Sequence, residues 1–202
     1  MSAFDVKLFG EVTLTLFVIV DPLGNIPLFL SLLRGRDAHA RRRAAWQAVG
    51  TSLGVIGAFA VLGRQILDYL GITVPALQVA GGLLLLLVAL ELLTGKDSAP
   101  EEVRDVNVAL VPLGTPLLAG PGAIVAVIVF VQGVRGAGQG LAVAAGVVVI
   151  HLVLLLILLA STLITRLIGE GAIALLTRIS GLLLSAIAVQ LVAEGVRGFA
   201  AA

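Results

Sequence analysis

Long apolar stretches and short polar connections alternate along the whole chain. Six apolar segments lie at 8–33, 45–67, 74–94, 108–134, 138–166 and 172–196. Each is long enough to cross ~30 Å of hydrocarbon as a helix that rises about 1.5 Å per residue. No segment shows a sustained period of two, so helices are favoured over the strands of a barrel. The pattern predicts six membrane-spanning helices, the first of them a retained span rather than a cleaved signal peptide.

Composition agrees with this prediction and narrows the function. Hydrophobic residues make up 59% of the 202 residues and charged residues 12%, about half the ~25% of soluble domains. A net charge of +1 disfavours a nucleic-acid partner. The chain has no cysteine, which excludes disulfides and thiolate sites. The composition thus predicts an integral membrane protein. Because the sequence also has no metal-ligand spacing and no nucleophile motif, we expect that it is not an enzyme and has no metal site.

The basic residues predict the orientation in the membrane. Five arginines occupy the connection after the first span: Arg34, Arg36, Arg41, Arg42 and Arg43. Short connections rich in Lys and Arg stay in the cytoplasm. We therefore expect a multi-pass protein of the cell (inner or plasma) membrane with both termini on the extracytoplasmic side.

Several landmarks recur at an offset of 99 residues and indicate an internal repeat. The matched pairs are Pro22 with Pro121, Gly82 with Gly181 (each followed by three leucines), and Glu91 with Gln190. Two units of three spans must enter the membrane in opposite directions, as in many secondary transporters. The predicted fold is all-α: one transmembrane domain, 1–202, built from inverted three-helix repeats at 1–98 and 99–202.

Proline and glycine interrupt the first and fourth spans, in the segments VDPLGNIPLFLS and PLGTPLLAGPGAIV. Both residue types break helices, and lipid cannot satisfy the freed backbone groups, so the interruptions must face protein or water. Paired interruptions in two halves are typical of a transporter's binding site. A proline kink packed by small residues is the alternative. The candidate substrate-binding residues are Asp21, Pro22, Gly24, Asn25, Pro27, Thr115, Gly120, Pro121, Gly122 and Ala123.

The chemistry of these interruptions suits a small zwitterion. A half-helix that begins after a break offers N–H groups and a positive dipole end to a carboxylate, and free carbonyls suit an ammonium group or a cation. Asp21 adds a negative charge. It could accept a substrate ammonium, bind Na⁺, carry a proton, or act as N-cap of the half-helix that follows. The sequence leaves these roles open.

Other polar and small residues are weaker candidates. His151 lies within the fifth span, where it could relay protons or serve as a hydrogen-bonded packing residue. Gln78 and Gln190 could line the cavity. Gly50 and Gly54 form a GxxxG pattern typical of close helix packing.

The segments DPLGNIP and PLLAGPGAI resemble the MarC family of integral membrane proteins, which includes the SnatA-type neutral amino-acid transporters. The resemblance implies transport of small neutral amino acids such as glycine and alanine, driven by H⁺ or Na⁺ with no other cofactor. It places the substrate region at Asp21, Pro22, Gly24, Asn25 and Pro27, and at Gly120, Pro121, Gly122 and Ala123. An exporter of amino acids, other metabolites or drugs is the alternative, as is a channel. Substrate, coupling ion, direction and any homo-oligomer stay open.

Overall fold

The computed structural model describes residues 4–33, 35–94 and 118–200, and within these ranges the regular structure is entirely helical. The helices are α1 (Val6–Val20), α2 (Asn25–Leu32), α3 (Ala38–Leu70), α4 (Val74–Thr94), α5 (Pro121–Gln132), α6 (Ala137–Leu159) and α7 (Ser161–Ala200). The prediction of an all-α protein is confirmed for this part of the chain.

Four of these helices, α3, α4, α6 and α7, are long and apolar enough to cross a membrane. The helices α1 and α2 are bent by 50° and form a fifth span if they are taken together. The predicted fourth span, 108–134, lies within the described residues only from Leu118 onward, where α5 has 12 residues. The structure therefore has several membrane-spanning helices, and the count of six depends on residues outside the described ranges.

The predicted boundary between the fifth and sixth spans is wrong by several residues. Helix α6 ends at Leu159, and residues 161–168 belong to α7, which is kinked at Gly169 (φ 76°, ψ 161°). The apolar run continues through this region, so hydrophobicity does not reveal the helix end. The kink lies at Gly169 because glycine populates positive φ without steric cost.

Helix α3 begins earlier than its apolar pattern predicts. Asp37 is its N-cap, and the Asp37 carboxylate accepts a hydrogen bond of 2.7 Å from the Ala40 N–H. Arg41, Arg42 and Arg43 thus lie in the first turns of a helix rather than in a loop. Polarity in this segment indicates the edge of the membrane and not the end of the helix.

Helices α4 and α7 pack against each other in antiparallel directions along most of their length. Gly82 approaches the backbone oxygen of Ala188, and Gly195 approaches the backbone oxygen of Pro75. Helix α1 packs on α6 in the parallel direction, with Asp5 bonded to Gln139. Small residues at these contacts let the helix backbones come close together.

The buried core lies between α1, α2, α3, α5 and α6, and a second cluster joins α4 to α7. Large apolar side chains also cover the outside of the bundle, among them Leu87, Leu152, Leu156 and Leu182. An exposed apolar surface of this extent suits hydrocarbon rather than water. The predicted close packing at Gly50 and Gly54 is wrong within the described chain, since nothing lies within 4 Å of a Cβ added at either position.

Candidate functional site

The first helix is interrupted at residues 21–24, as the Pro/Gly pattern predicts. Asp21 has φ 42° and ψ 68° and is the C-cap of α1, with its N–H bonded to the Phe17 oxygen at 3.0 Å. Aspartate is one of the few residues that tolerate this left-handed conformation. Pro22 follows directly and disfavours helical geometry in the residue before it. The chain resumes its helix only at Asn25.

Asn25 closes the end of α1. Its side-chain amide donates to the backbone oxygens of Val20 at 2.6 Å and Asp21 at 3.0 Å. Its backbone N–H also donates to the Asp21 oxygen, at 3.1 Å. The last carbonyls of a helix have no intrahelical donor, and lipid supplies none. The Asn25 amide therefore satisfies freed backbone groups at the break, and its predicted contact with a substrate stays a prediction.

The carboxylate of Asp21 is buried, with 5% of the residue exposed. It lies against Gly24, where an added Cβ would collide with Asp21 Oδ2 and lie 2.7 Å from Thr177 Oγ1. Of the roles that the sequence leaves open for Asp21, the N-cap role does not form, because Gly24 is the N-cap of α2 and no side chain caps it. Because Gly24 has no side chain, the Asp21 carboxylate and the Thr177 hydroxyl from α7 can both occupy one small space.

Thr177 is a site residue that sequence reasoning missed. It is half-buried on α7, beyond the kink at Gly169, and belongs to no motif. The 99-residue offset is one signal that points to Thr177, because Thr177 is 99 residues after Gln78, a candidate for lining the cavity. Gln78 is half-buried on α4.

Helix α5 begins at the second Pro/Gly cluster. Gly120 is its N-cap, and Pro121 occupies its first position, where the missing N–H costs nothing. The N–H of Ala123 donates to the Gly120 oxygen at 3.0 Å. For the Gly122 N–H, in the first turn of α5, the structure gives no backbone acceptor among the described residues. Gly122 and Ala123 are buried and Pro121 is exposed.

The two interruptions lie beside each other. A Cβ at Gly122 would collide with Leu85 of α4 and lie 3.6 Å from Ile19, in the last turn of α1. The last turn of α1 therefore meets the first turn of α5. Because a helix carries partial negative charge at its C-terminus and partial positive charge at its N-terminus, the two ends present opposite charges around one region. Thr115, predicted to join this site, lies outside the described residues.

The remaining candidates lie elsewhere. His151 is buried in α6, where Nδ1 donates to the Val147 oxygen at 2.7 Å and Nε2 is 3.1 Å from Ser52 Oγ on α3. A carbonyl can only accept, so Nδ1 carries the proton and a neutral ring accepts from the serine hydroxyl. Gln190 is exposed and donates to Glu194 at 2.7 Å. Pro27 is exposed on α2.

Comparison with known proteins agrees with this architecture. The chain is 35% identical over 191 residues to a UPF0056 membrane protein of Methanocaldococcus jannaschii, covering 91% of this chain and 93% of that one. It is 32% identical over 197 residues to the UPF0056 membrane protein YvbG of Bacillus subtilis, covering 93% of each. A UPF0056 membrane protein of Aquifex aeolicus is 35% identical over 206 residues, covering 98% of this chain and 95% of that protein. No solved structure matches the chain.

The sequence profile described as MarC family integral membrane protein matches residues 6–200. This range takes in every helix described above and both interruptions. The resemblance inferred from the two Pro/Gly segments is confirmed, and the chain belongs to the MarC family of integral membrane proteins.

Proposed function

We propose that the chain is a secondary active transporter of small neutral amino acids, not an enzyme, and that it works by alternating access around its two interrupted helices. The observation that carries the proposal is the contact between the last turn of α1 and the first turn of α5. Each helix end is created by a Pro/Gly break, and a buried carboxylate, Asp21, lies at one of them. Discontinuous helices that meet between two halves are typical of transporter binding sites.

The charges at this contact suit a zwitterion. The first turn of α5 offers the Gly122 N–H and a positive dipole end to the substrate carboxylate. Asp21 attracts the substrate ammonium group, together with the partial negative charge at the C-terminal end of α1. The space is small, because neither Gly24 nor Gly122 accepts even a methyl group without a collision. Glycine and alanine therefore fit the proposal better than amino acids with long side chains.

Asp21 is also the proposed coupling site. A carboxylate at membrane depth costs roughly 2.5–3.5 kcal/mol on insertion scales, so its retention in a buried position favours a role in transport. Binding of H⁺ or Na⁺ there would neutralise the charge before the helices move. Thr177 Oγ1 lies on the same side of Gly24 as the carboxylate and can contribute an oxygen to a cation.

We also infer that the chain consists of two inverted repeats, and reciprocal contacts support this. Gly82 approaches the backbone oxygen of Ala188, and Gly181 approaches the backbone oxygen of Ala89. Each residue of the first pair is 99 positions from its counterpart in the second. Reciprocal pairing of this kind is expected around a two-fold axis.

Contacts between whole helices are also related by the 99-residue offset. At the 99-residue offset, α5 is the counterpart of α2 and α3 is the counterpart of α6; α5 packs on α3, and α2 contacts α6. The antiparallel pair α4 and α7 supplies the third span of each proposed half. Opposite directions for these counterparts are what an inverted repeat requires. We further propose an inner-membrane location with both termini outside, on the basis of the arginine-rich connection.

Uptake into proteoliposomes tests the proposed transport. The purified full-length chain should accumulate labelled glycine or alanine when a Na⁺ or a proton gradient is imposed, each in turn. Asp21→Asn should lower the initial rate at least about tenfold, because the variant keeps the shape of the side chain and loses the charge. Glu91→Gln, which removes an exposed carboxylate on α4, is the matched control and should transport normally.

Two results would contradict the proposal, and a third would change the direction of transport. Uptake no greater than in protein-free vesicles, in either direction and under both gradients, would exclude transport of these substrates. Conductance that does not saturate in planar bilayers would favour a channel over alternating access. Efflux from preloaded vesicles without uptake would favour an exporter.

A further inference from the structure

Two adjoining cavities lie at the end of the bundle where α2 ends and where α3 and α7 begin. Their volumes are about 160 Å³ and about 330 Å³, and both are lined by Arg41 and Thr162. This end of the molecule carries the arginine-rich connection. It is distinct from the contact between α1 and α5.

The polar lining of the cavities comes from two separate parts of the chain. Arg41 and Arg42 lie in the second turn of α3, and Arg166 lies in α7 before the kink at Gly169. The remaining polar lining consists of Ser161, Thr162 and Thr165 from the first turns of α7. The Thr165 hydroxyl donates to the backbone oxygen of Ser161 at 3.0 Å, so the hydroxyl donors toward a ligand are those of Ser161 and Thr162. Guanidinium groups combined with hydroxyl donors form the usual protein environment for a phosphate oxygen.

No ion pair joins these arginines to a carboxylate in the part of the chain that the structure describes. Within residues 4–33, 35–94 and 118–200, the ion pair that forms is Lys7 with Glu11, at the opposite end of α1. The nearby Asp37 uses its Oδ1 atom to accept the Ala40 N–H. Among the described residues, positive charge therefore collects around the cavities. The role of arginines in orienting the chain explains their presence in this connection, but not their convergence with hydroxyl groups around a cavity.

The other side of each cavity is apolar. Phe29 and Leu158 line the smaller one, and Leu30 and Leu33 line the larger one. A basic opening backed by leucine and phenylalanine, at the end of membrane-spanning helices, suits the headgroup and upper acyl chain of an anionic lipid. We propose that these cavities bind a phosphate group, either as the headgroup of an anionic phospholipid or as a free phosphate ion.

Lipid binding by the purified full-length chain tests this proposal independently of transport. Native mass spectrometry in detergent compares phosphatidylglycerol with phosphatidylcholine of the same acyl chains. The wild type should retain phosphatidylglycerol preferentially. Arg41→Gln and Arg166→Gln should each lower that preference about tenfold, the effect expected when one charge-assisted contact is lost. Arg43→Gln, an exposed residue of the same stretch that lines neither cavity, should leave it unchanged.

Thermal denaturation at constant ionic strength distinguishes the two sources of phosphate. A rise in the Tm of the wild type with inorganic phosphate but not with chloride, absent in Arg41→Gln, assigns the site to a free anion. A preference for phosphatidylglycerol without that rise assigns it to a lipid. Competition of inorganic phosphate with phosphatidylglycerol in the wild type gives the same information if a variant fails to fold.

The proposal is overturned if the wild type shows neither a preference for phosphatidylglycerol nor a phosphate-specific rise in Tm. It is also overturned if Arg43→Gln lowers the preference as much as Arg41→Gln does, because net charge alone would then explain binding. Arg41→Lys, which keeps the charge but not the planar fork, should restore part of the affinity.

Discussion

Gly24 determines the geometry of the first interruption. The space that a side chain would occupy there is filled by the carboxylate of Asp21 and the hydroxyl of Thr177. A Cβ atom would have to displace at least one of these groups. Helices α1, α2 and α7 can therefore come this close together only because residue 24 has no Cβ atom.

Gly24→Ala should reduce amino-acid uptake at least tenfold while the protein still folds, because the added methyl group collides with the Asp21 carboxylate. Uptake in proteoliposomes and the far-ultraviolet circular dichroism of the purified variant measure the two effects. Gly10→Ala is the matched control, since it lies on α1 with nothing within 4 Å of an added Cβ. If both variants lose transport equally, the geometry at Gly24 is not important for function.

A second effect at the residue scale concerns Asp5, the N-cap of α1. Hydrogen bonds from the Leu8 N–H and the Gln139 side chain lower the pKa of this carboxyl below its ordinary value of 3.8. Because the pKa is lower in the folded state, the ionised carboxyl stabilises the folded state at pH values above its ordinary pKa. This stabilisation is lost as the pH falls through the pKa of the folded state. The contact between the starts of α1 and α6 should weaken below about pH 3.8.

Melting temperatures of the purified protein between about pH 2 and pH 6, roughly two units either side of the ordinary pKa, test this effect. Asp5→Asn keeps a capping side chain but cannot titrate. Its melting temperature should therefore fall less steeply than that of the wild type at the acid end. Parallel curves for the two proteins would contradict the assigned role.

At this scale the sequence reveals the type of chemistry better than the role of each residue. The Pro/Gly clusters identify Asp21 and Gly24, because broken helices have strong compositional signals. They do not reveal that the Asn25 amide is occupied by the carbonyls of α1. They do not identify Thr177 either, because a contact between α2 and α7 depends on how distant parts of the chain pack.

At the scale of elements, the antiparallel pair of α4 and α7 is the most extensive helix contact in the described part of the chain. Glycines lie at its closest approaches. An added Cβ at Gly82 would be 2.7 Å from the backbone oxygen of Ala188, and the nearest atom to one at Gly181 would be 3.0 Å away. Both glycines approach a backbone oxygen, which cannot rotate aside, but the approach at Gly82 is closer than the approach at Gly181. The two glycines should therefore differ in their tolerance of substitution.

Gly82→Ala should destabilise the protein by about 1–3 kcal/mol, the usual cost of overpacking, and Gly181→Ala by less. Gly54→Ala serves as the control, because no atom lies within 4 Å of its added Cβ. Thermal denaturation followed by circular dichroism compares the three variants. Equal melting temperatures for Gly82→Ala and Gly54→Ala would show that the backbone contact does not hold the pair together.

Apolar patterns predict the existence of the helices more accurately than their ends. The third span was predicted at 74–94 and forms at Val74–Thr94, because polar residues border it on both sides. The end of α6 was missed since apolar residues continue across Leu159 and Ala160. Helix α3 extends into the arginine-rich connection for a different reason: arginine favours helices as strongly as most apolar residues do.

At the scale of the whole molecule, the proposed orientation leads to a direct test. The chain has no cysteine, so each introduced thiol is the only one present. Arg43→Cys should react with a membrane-impermeant maleimide only from the cytoplasmic side, and Arg135→Cys only from the outside. Labelling of both positions from the same side of intact cells would contradict the inverted arrangement.

The overall arrangement was predictable only in outline. Length, composition and the 99-residue offset indicate a membrane protein with related halves, because these features depend on the chain as a whole. The kink at Gly169 and the cavities beside Arg41 were not predictable. Both arise from contacts between segments that are distant in sequence, and a hydrophobic pattern carries no information about such contacts.

The hydrogen bond between Ser52 and His151 joins two positions that are 99 residues apart. The duplication proposed above implies an ancestral dimer of three-helix units in which this position meets its own copy on the symmetry axis. The neighbouring acceptor is also matched, since Val147 and Ala48 stand at the same offset. On this proposal, divergence to one serine and one histidine replaces a self-pairing contact by one that requires both halves in a single chain. The double variant Ser52→His with His151→Ser should therefore melt at the same temperature as the wild type. The single variant His151→Ser, which has a serine at both positions, should melt at a lower temperature.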